Sequence, residues 1–185
     1  YGYGLEDLHN AITAELRRLP WLQPTKKKEE TQPTTALQKL EQLLQKFHIV
    51  ARQLNRRHDN RQTLVIRDEY DVQDLLHALL KISFDDVRPE EHAPSYAGAA
   101  SRMDFLLKSE QIVVEAKMAS NKLTDKFIGE QLLVDINRYQ THPDCKTLVC
   151  FVYDPNGHVK NPTALQNDLN RKHNNLDVRV LVCPI

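Results

Sequence analysis

The chain lacks most of the features that announce a function at a glance. Its 25 Lys and Arg balance 25 Asp and Glu, which removes the global basicity of many nucleic-acid binders and leaves room only for a local basic surface. Cysteine is scarce. Cys145, Cys150 and Cys183 are an odd set without CxxC spacing, which argues against a disulfide frame or zinc site and favours reduced, buried thiols in a cytosolic compartment. No apolar run approaches the roughly 18 residues of a membrane span. No signal peptide opens the chain, so the expectation is a soluble, cytoplasmic protein with no membrane partner. Neither a Gly-rich phosphate loop nor a Ser or Cys nucleophile motif is present. The eight histidines form no ligand pattern, and there are no internal repeats. The opening YGYGLEDL has no initiator Met, so a fragment of a longer chain is expected.

What is present is a globular balance: 185 residues, 41% hydrophobic and 27% charged, enough for one compact domain plus an appendage. Leu5, Leu8, Ile12, Leu16 and Leu19 keep a helical period up to Pro20. Residues 20–35, with Pro24, Pro33 and KKKEE, read as a loop. Leu37, Leu40, Leu43, Leu44, Phe47, Val50 and Leu54 restore the period over about five turns. Residues 1–60 are thus expected to form a helical N-terminal segment, and 61–185 a second domain. In the second part Asp68 can cap a helix with an inward stripe of Val72, Leu75, Leu76, Leu79 and Leu80. Strands are expected around 84–88, 103–107 and 111–117, then at TLVCFVY and VRVLVC, with helices near 124–141 and 162–170. The order predicts an α/β domain, a mixed central sheet flanked by helices.

The run SRMDFLLKSEQIVVEAKM, Ser101 to Met118, is the unusual stretch. If 108–111 turn, Phe105, Leu106 and Leu107 pair with Val114, Val113 and Ile112. Asp104 then faces Glu115, with partner Cβ atoms about 5 Å apart. Glu115 and Lys117 share that face, because side chains alternate along a strand. Both faces of the hairpin are apolar, so it is expected to be central and covered on both sides. Two adjacent carboxylates need a positive partner, which a hard cation such as Mg²⁺ or a salt-bridge cluster with Lys117 could each supply. Clustered Arg52, Arg56, Arg57 and Arg61 face only Asp59, and read either as a solvated helix end or as a phosphate-contacting patch.

Asp104, ten intervening residues, then Glu115-Ala116-Lys117 resembles the core motif of the PD-(D/E)XK nuclease superfamily. With DEYDVQDLLHALL, FDDVRPEEHAPSYAG, INRYQTHPDCKTL and FVYDPNG, residues from about 61 to 185 resemble the DpnII/MboI-type restriction endonuclease domains. The resemblance implies a restriction-endonuclease-like core that hydrolyses phosphodiester bonds with Mg²⁺, or with Mn²⁺ in its place. Asp104, Glu115 and the Ala116 carbonyl are the implied metal ligands, and Lys117 positions or helps deprotonate the attacking water. The family's first-helix acid matches Glu69, an implied catalytic residue and further ligand, with Gln73 one turn on. Gln131, Asp135 and Arg138 make a second polar stripe at i, i+4 and i+7, and Lys122 and Lys126 could hold phosphates. The implied substrate is nucleic acid, chiefly double-stranded DNA. A homodimer, and a place in a larger restriction or phage-defence assembly, fit the same picture. The competing reading is a nuclease fold that binds nucleic acid or protein without cutting.

Overall fold

The computed structural model describes residues 4, 9–10, 12–14, 34–90, 92–96, 99–123 and 125–184. The chain forms two compact units, 1–34 and 35–185. Positions 9–10 and 12–14 of the expected first helix are helical; the rest of that helix and residues 20–33 of the expected loop lie outside the described residues.

Unit 35–185 opens with α1 (Ala36–Asn55), whose N-cap Thr35 and Gln38 form a reciprocal capping box. Helix α2 (Glu69–Ser83) follows, capped by Asp68. Strand β1 (Val87–Pro89) leads into a separate hairpin of β2 (His92–Tyr96) and β3 (Ala99–Arg102). Then come β4 (Phe105–Leu107), β5 (Ile112–Met118), α3 (Asp125–Tyr139), β6 (Thr147–Tyr153), α4 (Pro162–Leu169), β7 (Lys172–His173) and β8 (Leu176–Cys183). The main sheet has the order β1-β4-β5-β6-β8-β7, with β5, β6 and β8 parallel and the other pairs antiparallel. The expected mixed α/β sheet is what forms. The elements differ from expectation at three places: β1, the β2–β3 hairpin and β7. The first strand starts at Val87, because Phe84 instead closes α2 through its N–H to Leu80. The β2–β3 hairpin and β7 were not foreseen, since HAPSY and AASR are poor in β-branched residues and β7 has only two residues.

Going from β5 to β6 to β8, the chain steps twice in the same direction across the sheet. Crossovers of one hand then put both connecting helices on one face. Accordingly Ile128, Leu132 and Ile136 of α3 and Leu169 of α4 pack with Leu106, Val113, Leu148 and Val180. The other face needs a different cover. Helices α1 and α2 provide it, with Leu40, Leu44, Phe47, Val72 and Leu76 packed on Phe105, Val114, Val149 and Phe151. Helix α1 is therefore part of this core. Beyond β6, Asp154 accepts the N–H groups of His158 and Val159 to shape the DPNG turn, where Gly157 takes φ +70.

Candidate active site

The hairpin register is the one expected: Phe105 faces Val114, Leu106 faces Val113 and Leu107 faces Ile112. One step past this ladder, Asp104 and Glu115 come together. Asp104 Oδ2 accepts the Ala116 N–H at 2.8 Å, whereas Oδ1 takes no hydrogen bond among the described residues. Lys117 Nζ donates to Glu115 Oε1 at 2.7 Å. It also lies 3.8 Å from Asp135 Oδ2 and 3.9 Å from Glu69 Oε1. The other oxygen of Glu115 accepts the Tyr139 hydroxyl at 2.8 Å. Strand β5 thus supplies Glu115 and Lys117, α3 supplies Asp135 and Tyr139, and the start of α2 supplies Glu69. The backbone N–H of Met118, at the end of β5, faces Glu69 at the start of α2.

The cluster lies at the carboxyl end of β5, where parallel sheets generally present their ligand crevices. Beside it is a cleft of about 490 Å³ lined by Glu69, Gln73, Asp74, His77, Glu90, Arg102 and Asp104. Burial, then the charge of Glu115, pushes Asp104 up to about 7. The same causes, partly offset by Lys117 and Arg138, push Asp135 up to about 6. Burial raises Glu69 as well, against the pull of Lys117. For Lys117 burial favours the neutral amine, but the charge and hydrogen bond of Glu115 outweigh it and raise the pKa. Lys117 is a persistent cation here. Burial and Glu115 also raise Tyr139, which stays a neutral donor.

Gln73 lines the cleft beside Glu69. Gln131 is exposed on α3, and Lys122 is exposed in the turn before it. Lys126 stands on the surface 3.9 Å from Glu130. Arg56 and Arg57 are exposed at the end of α1. Tyr139 was not singled out for function, although its hydroxyl lay on an otherwise apolar face and needed a partner. Asp135 was placed on the polar stripe. At 100° per residue it lies within roughly 40° of both Ile128 and Tyr139 on the buried side, so its position was readable.

Among the described residues no three His, Cys, Asp or Glu side chains stand in a metal-holding arrangement. Mg²⁺ does not require one, because it commonly takes one or two carboxylates and keeps several waters. Asp104 with its uncommitted oxygen, Glu115 and the Ala116 carbonyl are hard oxygen donors of that kind. The acid-rich surroundings that raise Asp104 would also welcome a cation.

A mixed sheet sandwiched by helices, with an acidic crevice beside a half-buried lysine at its edge, defines the restriction-endonuclease-like class of α/β folds. The chain belongs to the DpnII-MboI restriction endonuclease family, whose model matches residues 38–185. The match includes nearly all of α1 and begins well before residue 61, where the sequence resemblance starts. Membership makes the protein a nuclease by class, a phosphodiester hydrolase. No curated protein matches the chain.

Two expectations follow from these contacts. In metal-free protein, Asp104 and Asp135 hold protons more tightly folded than unfolded, their ordinary value being 3.8. The folded state therefore binds the extra protons between about pH 4 and 7, and stability falls as pH rises through that window. Thermal melts in EDTA should show a lower Tm at pH 8 than at pH 5, with the gap narrowed by Asp104→Asn. Tyr139→Phe keeps the ring but strips Glu115 of one donor, at a cost of about 1–3 kcal/mol. Urea titration should show that loss, with slower cleavage but unchanged DNA affinity in Ca²⁺.

Proposed function

We propose that this protein is an Mg²⁺-dependent endonuclease acting on double-stranded DNA, with Mn²⁺ an effective replacement. The observation that carries the reading is Asp104: it lines the cleft, keeps one oxygen free, and stands beside Glu115 and its bound Lys117. Asp104, Glu115 and the Ala116 carbonyl would hold the ion, with Glu69 at the margin of the set. When bound, Mg²⁺ supplies Lewis-acid stabilisation of the phosphodiester and lowers the pKa of a water.

The chain's own groups do the rest. Lys117, kept protonated by its acidic neighbours, is suited to orient the attacking water and offset charge on the phosphorane-like transition state. It is poorly suited to act as a base, because it would first have to give up a proton that Glu115, Glu69 and Asp135 all hold in place. Tyr139 and Lys117 together fix both oxygens of Glu115. Gln73 is placed to bond within the cleft. In-line attack forms one P–O bond from water and breaks the P–O bond to the leaving strand, which takes up a proton.

Cutting both strands needs two such sites, which a homodimer supplies most simply. The buried free thiols Cys145, Cys150 and Cys183 suit a reducing cytoplasm, and cleavage of foreign DNA in a restriction or phage-defence system is the setting that fits. The test is to offer end-labelled duplex DNA, single-stranded DNA and RNA with Mg²⁺ and with EDTA. Duplex DNA should be cut, and only with metal. Cutting confined to RNA, or undiminished by EDTA, would contradict the proposal.

A further inference from the structure

The cleft sets an electrostatic problem. Glu69, Asp74, Glu90 and Asp104 line it against Arg102, which itself lies 3.2 Å from Glu90. A cation bound there offsets part of this charge, but beyond the cleft the chain has no net positive charge to draw in a polyanion. Long-range attraction to phosphates must come from a local surface.

Helix α1 leads to one. His48 Nδ1 lies 2.9 Å from the Tyr153 hydroxyl, and Tyr153 pairs with Met118, the neighbour of Lys117. Arg52 is one helical turn beyond His48, so α1 carries its arginines outward from the site's end of the sheet. Arg52, Arg56, Arg57 and Arg61 are all exposed, and among the described residues none is in an ion pair. Arg52 and Arg56 line one recess; Arg56, Arg57, His58 and Arg61 line the next. The intervening turn, with Asp59 and Asn60 at φ 60 and 48, sets Arg57 and Arg61 together, and Arg57 Nη1 donates to the Gln62 carbonyl at 2.8 Å. A favourable helix-end dipole accounts only for arginines in the last turn. Arg57 and Arg61 lie past it.

We infer that these four arginines form a second DNA-contacting surface, gripping the backbone of a duplex beside the segment in the cleft. The inference rests on the proposed DNA substrate. From Arg61 to Glu69 the chain can span at most roughly 28 Å, and a duplex rises 3.4 Å per base pair, so no more than about eight base pairs separate patch from cleft.

Binding of a fluorescein-labelled 30-base-pair duplex is measured by anisotropy in Ca²⁺ across a KCl series, apart from any cleavage. Arg56→Ala/Arg57→Ala is compared with a charge-matched control on other exposed lysines, Lys160→Ala/Lys172→Ala, with thermal melts to verify folding. The arginine variant should bind about tenfold more weakly, and its slope of log K against log salt should shrink by about 0.9 per lost contact. The control should match wild type. Equal affinity and slope for wild type and arginine variant, or equal losses in both variants, would overturn the inference, as would a wild type that does not bind duplex DNA. Plasmid cleavage with Mg²⁺ is scored separately. Normal cleavage with an unchanged salt slope rejects the patch alone, and a lost slope without wild-type cleavage rejects the nuclease reading alone.

Discussion

Lys117→Met should lower DNA cleavage by about 10²–10³-fold, the loss typical when one donor to a developing oxyanion is removed. It should also change stability in a pH-dependent way. Lys117 is the shared counterion of Glu115, Asp135 and Glu69, at 2.7, 3.8 and 3.9 Å. Deleting Lys117 leaves the buried carboxylates Glu115 and Asp135 short of their cation, at about 3–5 kcal/mol. That penalty should be largest at pH 8, where the acids are ionised. It should ease toward pH 5, as Asp104 and Asp135, whose pKa values stand near 7 and 6, take up protons. Urea denaturation at both pH values in EDTA separates this effect from the rate. Cleavage within a few-fold of wild type by a folded variant would remove Lys117 from the chemistry.

Phe47→Ala should destabilise the protein by about 3–5 kcal/mol, although Phe47 lies far outside the acidic motif in sequence. Its ring is fully buried, 5.1 Å from Phe151 and 5.0 Å from Tyr153 between ring centres. Both partners are on β6, the strand beside the one that carries Glu115 and Lys117. Typical domains have only about 5–15 kcal/mol of stability in total, so most of the margin would go. If α1 were merely an appendage, the same substitution would leave the urea midpoint of the sheet almost unchanged. Tryptophan is of no use as a probe here, since the only one, Trp21, is outside this unit; far-ultraviolet circular dichroism serves instead.

The two cases differ in how readable they were. The hairpin was legible because alternation has a strict period of two and a turn at 108–111 admits few registers, so Asp104 could be set opposite Glu115 from residues alone. The sandwiching of the sheet followed from the same alternation, with Leu106 and Val113 on one face and Phe105, Leu107, Ile112 and Val114 on the other. The helical period of α1 was equally plain, but period shows only that a helix has a buried side. What it packs against depends on the direction in which the chain crosses the sheet, a property of the whole topology. The polar stripe on α3, read from its i, i+4 and i+7 spacing, spans different depths: Gln131 is exposed, Arg138 half-buried and Asp135 buried. Spacing gives the shared side of a helix, not how deeply the rest of the fold covers each position. A buried carboxylate is tolerated there because Lys117 and Arg138 meet it, at 3.8 and 3.3 Å.

The most direct measurement is nicking and linearisation of supercoiled plasmid by wild type and Asp104→Asn at equal concentrations, in Mg²⁺ and in EDTA. Asp104→Asn keeps the size of the side chain and an oxygen that can still accept the Ala116 N–H, but lacks the anionic charge of a metal ligand. Wild type should cleave rapidly in Mg²⁺ and not at all in EDTA, and the folded variant should be inactive under both conditions. Cleavage by Asp104→Asn at the wild-type rate would contradict the assignment of the site. Wild-type cleavage that persists in EDTA would contradict the metal-dependent chemistry.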